Sequence, residues 1–383
     1  MSQLRVAHVI GGGEFGGAER HILNLARAVD PQAVNITVCC LFAAPFAGLA
    51  AQDGLPALAV PMRHKFDLRV LDELAHFFRI TNVDIVHTHG VRANLLGRIA
   101  ARQAGKKTVT TVHSLLEHDY PGFISRFANS LAERLTRGMT DQFIAVSGGL
   151  KEALVKRGVA SGRVAVVHNG IDLETLTAER RTGRWREKLG CAGAPLIGMV
   201  ARLHPVKGHR YFLQAAREVL SLRPEVRFAV VGDGPEKEAL QALAGRLGIS
   251  DQVLFTGFVE DIWPLMAELD LLAIPSLWEG FGLSAAEGLA LGVPVVASDV
   301  GGLPEVVRHC ETGFLVPPSD APALARGILW MLDHPSEAAE MVRRGTELVR
   351  AEFSSATMAR RTVEVYRKVL AGEPPPAKGM RRR

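Results

Sequence analysis

Residues 273–298 read Ala273-Ile-Pro-Ser-Leu-Trp-Glu-Gly-Phe-Gly-Leu-Ser-Ala-Ala-Glu-Gly-Leu-Ala-Leu-Gly-Val-Pro-Val-Val-Ala-Ser298. The apolar residues from Leu269 to Ile274 predict a parallel strand that is buried on both faces. Gly280 and Gly282 then allow the backbone to approach a ligand closely. A helical pattern and a second strand pattern, Val295 to Ser298, follow. The stretch therefore predicts a strand, a glycine loop, a helix and a strand in succession.

The helix inside this stretch has sequence signals at both ends. Ser284 and Glu287 have the spacing of an S-x-x-E capping box, and Gly292 closes the helix after about two to three turns. Backbone N–H groups at the start of such a helix would face a bound anion. The two carboxylates also have ordinary explanations, because Glu287 can cap its own helix and Glu279 can be a solvated loop residue.

The length of the chain predicts two domains. At 383 residues it exceeds what one ordinary core supports, and 48% hydrophobic residues favour globular packing over disorder. No run is long enough to span a membrane, and Met1 to Arg5 lacks the apolar core of a secretory signal, so we expect a cytoplasmic protein. The 4 cysteines lack metal-ligand spacing, which favours reduced thiols over disulfides or a zinc site. The net charge of +5 favours anionic partners such as nucleotide sugars or anionic lipid.

The first half of the chain alternates strand and helix patterns from its start. Arg5 to Ile10 is a short apolar strand, the glycine-rich loop Gly11 to Arg20 follows, and a helical pattern begins at His21. This order suits a phosphate or a closely packed sugar. The glycine spacing fits G-x-G-x-x-G poorly, however, and the acidic residue expected about twenty positions later is missing. The sequence therefore favours a parallel α/β sheet and gives a dehydrogenase little support.

Histidines follow two predicted strands of this half. Asp84 to Thr88 and Thr108 to Val112 are strand patterns, and ligands bind at the carboxyl ends of strands in such sheets. His113 is therefore placed for a functional role. His87 and His89 can equally be packed, hydrogen-bonded turn residues.

Residues 123–137 combine apolar and basic residues at helical spacing. The apolar residues on one stripe are Phe123, Ile124, Phe127, Leu131 and Leu135, and the basic residues off it are Arg126, Arg134 and Arg137. Such a stripe is either the core face of a helix or the face with which a basic amphipathic helix lies on an anionic bilayer.

The second half repeats the strand and helix rhythm after a polar segment. Residues 174–188 contain no long apolar stripe and predict the linker between the domains. Leu196 to Arg202 is again a strand, and Lys207 lies in the loop after it. Two fixed cations five residues apart can clamp a diphosphate and neutralise charge on a leaving nucleotide, whereas an isolated pair would be ordinary surface charges.

These motifs together resemble a known family. E-G-F-G-x-x-x-x-E from Glu279 to Glu287, then A-x-G-x-P-V-V-A-S and G-G-L-P-E, resemble the donor-binding core of the retaining glycosyltransferases of family 4, which have the GT-B fold. G-x-x-x-R-L-x-x-x-K-G around Arg202 and Lys207 is similar to the pyrophosphate loop of that family. The resemblance covers nearly the whole chain and is strongest from Val164 to Pro318.

The resemblance implies an α/β fold with two Rossmann-like domains that face each other across a cleft. The N-terminal domain would bind the acceptor and comprise residues 1–172, joined by a C-terminal helix, 355–371, that crosses back to it. The C-terminal domain, 173–354, would bind the nucleotide sugar. Residues 372–383 are rich in proline and charge and predict a disordered basic tail.

The activity that the resemblance implies is transfer of a hexose, with retention, from a nucleotide diphosphate sugar to an acceptor hydroxyl, in polysaccharide, lipopolysaccharide or glycolipid synthesis. The residues at catalytic positions of the family are His113, Arg202, Lys207 and Glu279. The residues at donor-binding positions are Gly16, Gly17, Arg202, Lys207, Phe258, Val259, Glu279, Gly280, Phe281, Gly282, Leu283 and Glu287. Glu279 would hold sugar hydroxyls and Glu287 the ribose, while Phe258 and Val259 would meet the nucleobase, although Phe258 can also be a core aromatic.

Neither a metal nor a cofactor is implied, because Arg202 and Lys207 would stabilise the departing diphosphate. The implied partners are a nucleotide-sugar donor, a carbohydrate or lipid-linked acceptor and an anionic membrane surface at its cytoplasmic face, with no nucleic acid. Three alternatives stay open: a sugar-nucleotide epimerase of the same fold, a nicotinamide-dependent dehydrogenase, and a noncatalytic sugar-nucleotide-binding protein.

Overall fold

The computed structural model describes residues 3–13, 15–64, 67–115, 123–176, 182–191 and 193–372, with the side chains of 123–126 left out. The chain divides into two compact units. Unit 1 comprises Met1–Gly170 and Ser355–Arg383, and unit 2 comprises Ile171–Ser354. Each unit contains a parallel sheet with helices packed against it.

The strands and helices alternate along the chain. The strands are β1 Leu4–Ile10, β2 Val34–Cys40, β3 Ala57–Ala59, β4 Ile85–His89, β5 Lys107–Val112, β6 Gln142–Ala145, β7 Val164–Val166, β8 Leu196–Val200, β9 Arg227–Val231, β10 Val253–Gly257, β11 Leu271–Ile274, β12 Val295–Ser298 and β13 Phe314–Val316. The α-helices are α1 Gly17–Ala28, α2 Phe46–Gln52, α3 Arg69–Ile80, α4 Val91–Gln103, α5 Phe123–Thr136, α6 Gly148–Lys156, α7 Arg184–Lys188, α8 His209–Leu222, α9 Lys237–Leu247, α10 Trp263–Ala267, α11 Leu283–Ala290, α12 Leu303–Val306, α13 Ala321–Asp333, α14 Pro335–Glu352 and α15 Ser355–Ala371.

In the described part of unit 1, seven parallel strands lie in the order β3-β2-β1-β4-β5-β6-β7. The order reverses direction between β1 and β4, so their carboxyl ends flank a topological switch point, where ligands bind in sheets of this kind. The register places His8 beside His87 and Ile10 beside His89.

Both faces of this sheet are covered by apolar packing. Leu74 and Phe78 of α3 and Leu96 of α4 belong to the core on one face. Leu25 of α1 and Tyr366 of α15 belong to the core on the other. The predicted return of the C-terminal helix to the first domain therefore has a physical cause, since α15 buries its apolar stripe there.

In the described part of unit 2, six parallel strands lie in the order β10-β9-β8-β11-β12-β13. Phe212 of α8, Phe228 of β9 and Leu324 of α13 are fully buried in the core on one face. The switch point of this sheet lies between β8 and β11, whose carboxyl ends carry the loops in which Lys207 and Glu279 lie.

The structure divides the chain between Gly170 and Ile171, two residues before the predicted boundary at 172. The backbone N–H of Ile171 donates to the carbonyl of Phe353 at 2.7 Å, and Ile171 forms a bridge with Ser354. These pairings attach Ile171 to unit 2.

The prediction of a linker over 174–188 is wrong for its described C-terminal part. Residues 184–188 form helix α7, and Arg186 belongs to unit 2 through its contacts. Its backbone N–H donates to the carboxylate of Glu268 at 2.8 Å, and its guanidinium pairs with Asp270. Polar contacts rather than an apolar stripe thus attach this segment to unit 2. A helix held in this way is not found by searching the sequence for apolar periodicity.

The region of the quoted stretch differs from prediction in two details. Strand β11 begins at Leu271, and the side chain of Asp270 just before it accepts a hydrogen bond from the N–H of Leu196 at 2.7 Å. The predicted capping box is absent, since helix α11 begins after Gly282 with no side-chain cap. The hydroxyl of Ser284 lies 3.3 Å from the carbonyl oxygen of Val200 and donates to it instead.

Cys39, Cys40, Cys191 and Cys310 are all free thiols. Among the described residues, every helix falls short of the length or the apolar character that a bilayer crossing requires. The predicted disordered tail, apart from Gly372, lies outside the described residues.

Candidate functional site

Glycines join the loops at the carboxyl edge of the unit 2 sheet. A Cβ on Gly208 would lie 1.9 Å from the carbonyl oxygen of Pro275, and a Cβ on Gly301 would lie 1.9 Å from that of Glu279. The N–H of Leu277 donates to the carbonyl of Val206 at 2.7 Å. The loops after β8, β11 and β12 are therefore fixed against one another by backbone contacts that larger residues would prevent.

Lys207 and Glu279 meet at this edge. The Nζ of Lys207 lies 2.7 Å from Oε2 of Glu279, and the two side chains are 28% and 17% exposed. The structure thus brings together two predicted site residues that are 72 positions apart in sequence. A cation beside a carboxylate at a switch point can bind a phosphate and a hydroxyl side by side. Arg202 follows β8 by two residues and is exposed to solvent.

The loop and helix after Glu279 are closely packed. Gly282 has a φ of +99°, and a Cβ there would lie 2.6 Å from Cδ2 of Leu303, so glycine is required. Phe281 is 2% exposed and Glu287 is 3% exposed. Gly280, just before Phe281, and Leu283, at the start of the helix, are partly exposed. Glu287 is therefore a buried carboxylate. The helix has Gly282 at its N-cap and Glu287 lies inside it, so the predicted role of Glu287 as the cap of its own helix is wrong.

Phe258 and Val259 line a groove of about 1070 Å³ in unit 2. Trp185 lines the same groove and carries the ammonium of Lys188 at 4.5 Å from its ring centroid. Phe258 is 74% exposed, so the alternative that it is a core aromatic is wrong. An exposed aromatic ring in a groove is available for stacking on a planar ligand.

Gly16 and Gly17 lie at the start of α1, beyond the carboxyl end of β1 in unit 1. The N–H of Gly16 donates to Oε2 of Glu19 at 3.1 Å, and both glycines are exposed. The side chain of Glu19 thus fixes the turn that precedes the helix. The two glycines leave backbone accessible at the switch point of this sheet.

Five imidazoles lie together in unit 1, and we call them the histidine cluster: His8, His21, His87, His89 and His113. His113 comes directly after β5, and its Nε2 lies 3.0 Å from Nδ1 of His89. His87 and His89 are buried in strand β4 and hydrogen-bonded, so they are strand residues rather than turn residues.

Burial keeps the cluster neutral. Desolvation lowers the pKa of His8 to about 3 and that of His21 to about 4. Desolvation, together with the neighbouring imidazoles, also lowers the pKa of His87, His89 and His113 well below 6.5. At neutral pH His113 can therefore donate or accept a hydrogen bond but does not carry a positive charge.

The sequence interpretation missed four members of this region. His8, His21 and Asn169 are buried within it, and Tyr366 reaches it from α15. The sequence did contain one signal for a polar region on one face of the sheet. His87 and His89 are two residues apart on a strand and must point to the same face. No local sequence pattern indicates that α15 places Tyr366 in this region.

Among the described residues, the groups of three side chains that could share a metal ion are His8, His87 and His89, and His21, His89 and His113. All are imidazoles of unit 1, and none is a residue of the donor loops. Imidazole suits zinc, copper or nickel rather than magnesium.

Comparison with known proteins identifies relatives of both halves of the chain. A family model described as "Glycosyltransferase Family 4" matches residues 15–175, and one described as "Glycosyl transferases group 1" matches residues 182–348. The chain is 34% identical over 345 residues to a D-inositol 3-phosphate glycosyltransferase of Streptomyces avermitilis, covering 85% of this chain and 72% of the relative.

A second relative is the UDP-Gal:alpha-D-GlcNAc-diphosphoundecaprenol alpha-1,3-galactosyltransferase of Escherichia coli. It is 28% identical over 344 residues, which cover 87% of this chain and 89% of the relative. Among solved structures, that of Anabaena HepE (Alr3699) in complex with UDP and glucose has a TM-score of 0.86 at 25% identity and covers 96% of this chain and 100% of the other. The predicted class of two Rossmann-like α/β domains is confirmed by the two sheets and by this likeness.

Proposed function

Since the chain belongs to the glycosyltransferases of group 1 and family 4, we propose that it transfers a hexose, with retention, from a nucleotide diphosphate sugar to an acceptor hydroxyl. The contact between Lys207 and Glu279 at the switch point of unit 2 carries this proposal. It holds a cation and a hydrogen-bond acceptor at one place, as a sugar joined to a diphosphate requires. The complex of Anabaena HepE with UDP and glucose supports the same class of donor.

Lys207 would stabilise the departing diphosphate, with Arg202 on the same loop as a second cation. A preorganised cation acts on charge that develops in the transition state, so its contribution is to turnover. Binding of the phosphate would draw Lys207 from Glu279 and leave that carboxylate to accept hydrogen bonds from sugar hydroxyls. We assign no nucleophile, and a front-face displacement accounts for retention.

The remaining donor contacts are proposed from the family positions of the residues. Phe258 and Val259 would receive the nucleobase in their groove, and the buried carboxylate of Glu287 would meet the ribose. Gly280, Phe281, Gly282 and Leu283 would present backbone to the phosphates, as would Gly16 and Gly17 in unit 1. His113, being neutral, would act on the sugar through a hydrogen bond rather than through charge.

We further propose that no metal ion or cofactor takes part in the transfer. Lys207 and Arg202 supply the positive charge that a divalent ion supplies in other transferases. The chain has no D-x-D sequence, and the imidazole groups of unit 1 suit ions other than magnesium.

The acceptor is proposed to be a lipid-linked saccharide at an anionic membrane surface, in polysaccharide, lipopolysaccharide or glycolipid synthesis. Phe127, Leu131 and Leu135 of α5 are 65%, 46% and 69% exposed, so the described part of this stripe is not the core face of its helix. The Escherichia coli relative is named for a diphosphoundecaprenol-linked acceptor, which supports a membrane-bound substrate. We therefore propose that the enzyme works at the cytoplasmic face of the membrane.

The decisive experiment incubates the full chain with UDP-hexoses, with and without GlcNAc-diphosphoundecaprenol analogues and inositol phosphate as acceptors. We expect release of UDP that depends on the acceptor and a product whose anomeric configuration, read by NMR, matches the donor. Interconversion of two sugar nucleotides without an acceptor would establish the epimerase instead. Binding of UDP-hexoses without turnover across a broad acceptor set would favour the noncatalytic protein.

A further inference from the structure

One face of the unit 1 sheet changes from apolar to polar along its strands. Alternate residues of a strand share a face, and on three adjacent strands these residues are Val6, His8 and Ile10, then Ile85, His87 and His89, then Val109, Thr111 and, just past β5, His113. Helix α15 packs on this face, where Tyr366 is buried. A phenol is thus held among the imidazoles by an element from the far end of the chain.

Tyr366 connects two of the imidazoles. Its hydroxyl oxygen lies 2.7 Å from Nδ1 of His87 and 3.2 Å from Nε2 of His8. The other nitrogen of His87, Nε2, lies 2.7 Å from Oγ1 of Thr111. These three contacts use both nitrogens of His87 and one nitrogen of His8.

The same line of hydrogen bonds continues to His113. Nδ1 of His8 lies 2.9 Å from Nε2 of His89, and Nδ1 of His89 lies 3.0 Å from Nε2 of His113. A neutral imidazole has one N–H and one lone pair, so it donates at one nitrogen and accepts at the other. When the phenol of Tyr366 donates its one proton within the line, the bonds from Thr111 to His113 all run in one direction.

The unpaired atom at the end of the line selects that direction. Nδ1 of His113 is buried and has no hydrogen-bond partner among the described residues. If every donor points towards Thr111, this atom is an unprotonated acceptor, whereas in the opposite direction it is a buried N–H without an acceptor. Orphaned buried N–H groups are rarer in folded proteins than under-used acceptors. Donation towards Thr111 is therefore favoured.

We propose that Tyr366 is a positioning residue for His113: its hydroxyl accepts from His8 and donates to His87, and this keeps Nδ1 of His113 unprotonated. His21 presents a matching atom, because its Nδ1 donates to Oδ1 of Asn169 at 2.9 Å and its Nε2 has no partner among the described residues. The ring centroids of His21 and His113 are 5.0 Å apart. Two unprotonated nitrogens suit a ligand that donates hydrogen bonds, such as a hydroxyl, and not an anion.

The tautomer of His113 tests this directly, by long-range ¹H–¹⁵N correlation on the full chain labelled at histidine. His113→Gln assigns the signal by removing it. We expect His113 to carry its proton on Nε2 alone. A proton on Nδ1 overturns the proposal, and so does stoichiometric zinc in the purified protein with His113 as a ligand, since the metal would then set the tautomer.

Tyr366→Phe tests the role of the hydroxyl, because it removes one oxygen and keeps the buried ring. We expect His113 to populate both tautomers, and Thr111→Val, which removes the acceptor at the far end of the line, to act in the same direction. Tyr211→Phe makes the same chemical change in unit 2 and serves as the control. An unchanged His113 tautomer in both network variants overturns the proposal.

The kinetic consequence rests on the proposed function. With His113 acting on the sugar, Tyr366→Phe is expected to lower kcat about tenfold and to change KM less than about twofold, because only part of the population carries the productive tautomer. An unchanged kcat beside a mixed tautomer would separate His113 from the transfer while leaving the link to Tyr366 intact. An absence of transfer in the unmodified chain would refute the proposed function alone.

Discussion

Lys207 is paired with a carboxylate and still partly open to solvent, with 28% of its side chain exposed. Ion pairs of this exposure contribute only about 0–1 kcal/mol to stability, because both partners remain hydrated. The loops after β8, β11 and β12 are held together by glycine and backbone contacts, and these contacts do not involve the ammonium group of Lys207. Removing the Lys207 side chain should therefore change the rate of transfer without changing the stability of the fold.

Lys207→Ala and Arg202→Ala are each expected to lower kcat by on the order of a hundredfold or more, because each removes a preorganised positive charge from the departing diphosphate. The thermal midpoint should change little. Steady-state kinetics with a UDP-hexose and calorimetry measure the two effects. Lys107→Ala is the matched control, because Lys107 pairs with Asp141 at 3.0 Å at the start of β5. Turnover near that of the unmodified chain in both variants would refute the diphosphate assignment.

Helix α5 reverses the usual arrangement of an amphipathic helix. Arg98 is fully buried and pairs with Glu133 at 2.9 Å, and its guanidinium also donates to the hydroxyl of Thr136 at 3.1 Å. These polar contacts attach α5 to unit 1, while the stripe from Phe127 to Leu135 is exposed. The basic residues predicted beside it differ, since Arg134 is exposed and Arg137 donates to the carbonyl of Arg157 at 2.7 Å.

The double variant Phe127→Ser and Leu135→Ser is expected to abolish most flotation with vesicles that contain anionic lipid. Burying a large apolar side chain contributes about 1.5–3 kcal/mol, so losing two should lower partitioning by more than about a hundredfold. Arg134→Glu should have a smaller effect that added salt reduces. Leu222→Ser is the control, because Leu222 is 68% exposed on a helix of unit 2. Equal flotation of all variants would exclude α5 as the membrane contact.

At the scale of the whole molecule, the histidine cluster links folding to pH. The unfolded chain binds protons at histidine below pH 6.5, whereas burial holds the pKa of His8 at about 3 and that of His21 at about 4. The folded state thus binds fewer protons, so stability rises with pH within this window and is complete above 6.5. Each histidine contributes about 1.4 kcal/mol for each pH unit inside it.

Urea unfolding of the full chain is therefore expected to show a midpoint that is constant between pH 8 and 7 and falls steeply between pH 6.5 and 5. Glu340, whose pKa its arginine neighbours lower to about 2, titrates below this range. His21→Gln should reduce the slope by about one proton, because it removes one of the buried neutral histidines. A midpoint that does not move between pH 7 and 5 would contradict neutral burial of the cluster.

Transfer by the whole enzyme is also expected to proceed in excess EDTA, because the cations proposed for the diphosphate are side chains. The assay follows UDP release before and after chelation and dialysis. A rate that chelation abolishes and magnesium restores would assign the charge stabilisation to a metal ion instead. The melting temperature in EDTA provides the control for any separate effect on the fold.

The local pattern was sufficient for much of the fold. The predicted strand from Val295 to Ser298 is present as β12 with the same bounds, and the C-terminal helix expected over 355–371 is found as α15, Ser355–Ala371. These elements are determined by residues close in sequence, since glycines, prolines and apolar periodicity act over one or two turns.

Tertiary structure decided what depends on distant residues. Tyr366 and His8 are 358 positions apart, so no local pattern could place a phenol among the strand histidines. From sequence alone, the apolar stripe of α5 is compatible with a core face or with an exposed surface. In the structure the buried Arg98 pairs with Glu133 on the opposite side of the helix, and the stripe is therefore left exposed. The sequence by itself thus determined the strands, the glycine loops and the charged residues beside them. Packing across the chain decided which way α5 faces and which nitrogens of the histidine cluster are paired, because both depend on partners that only the folded chain brings into contact.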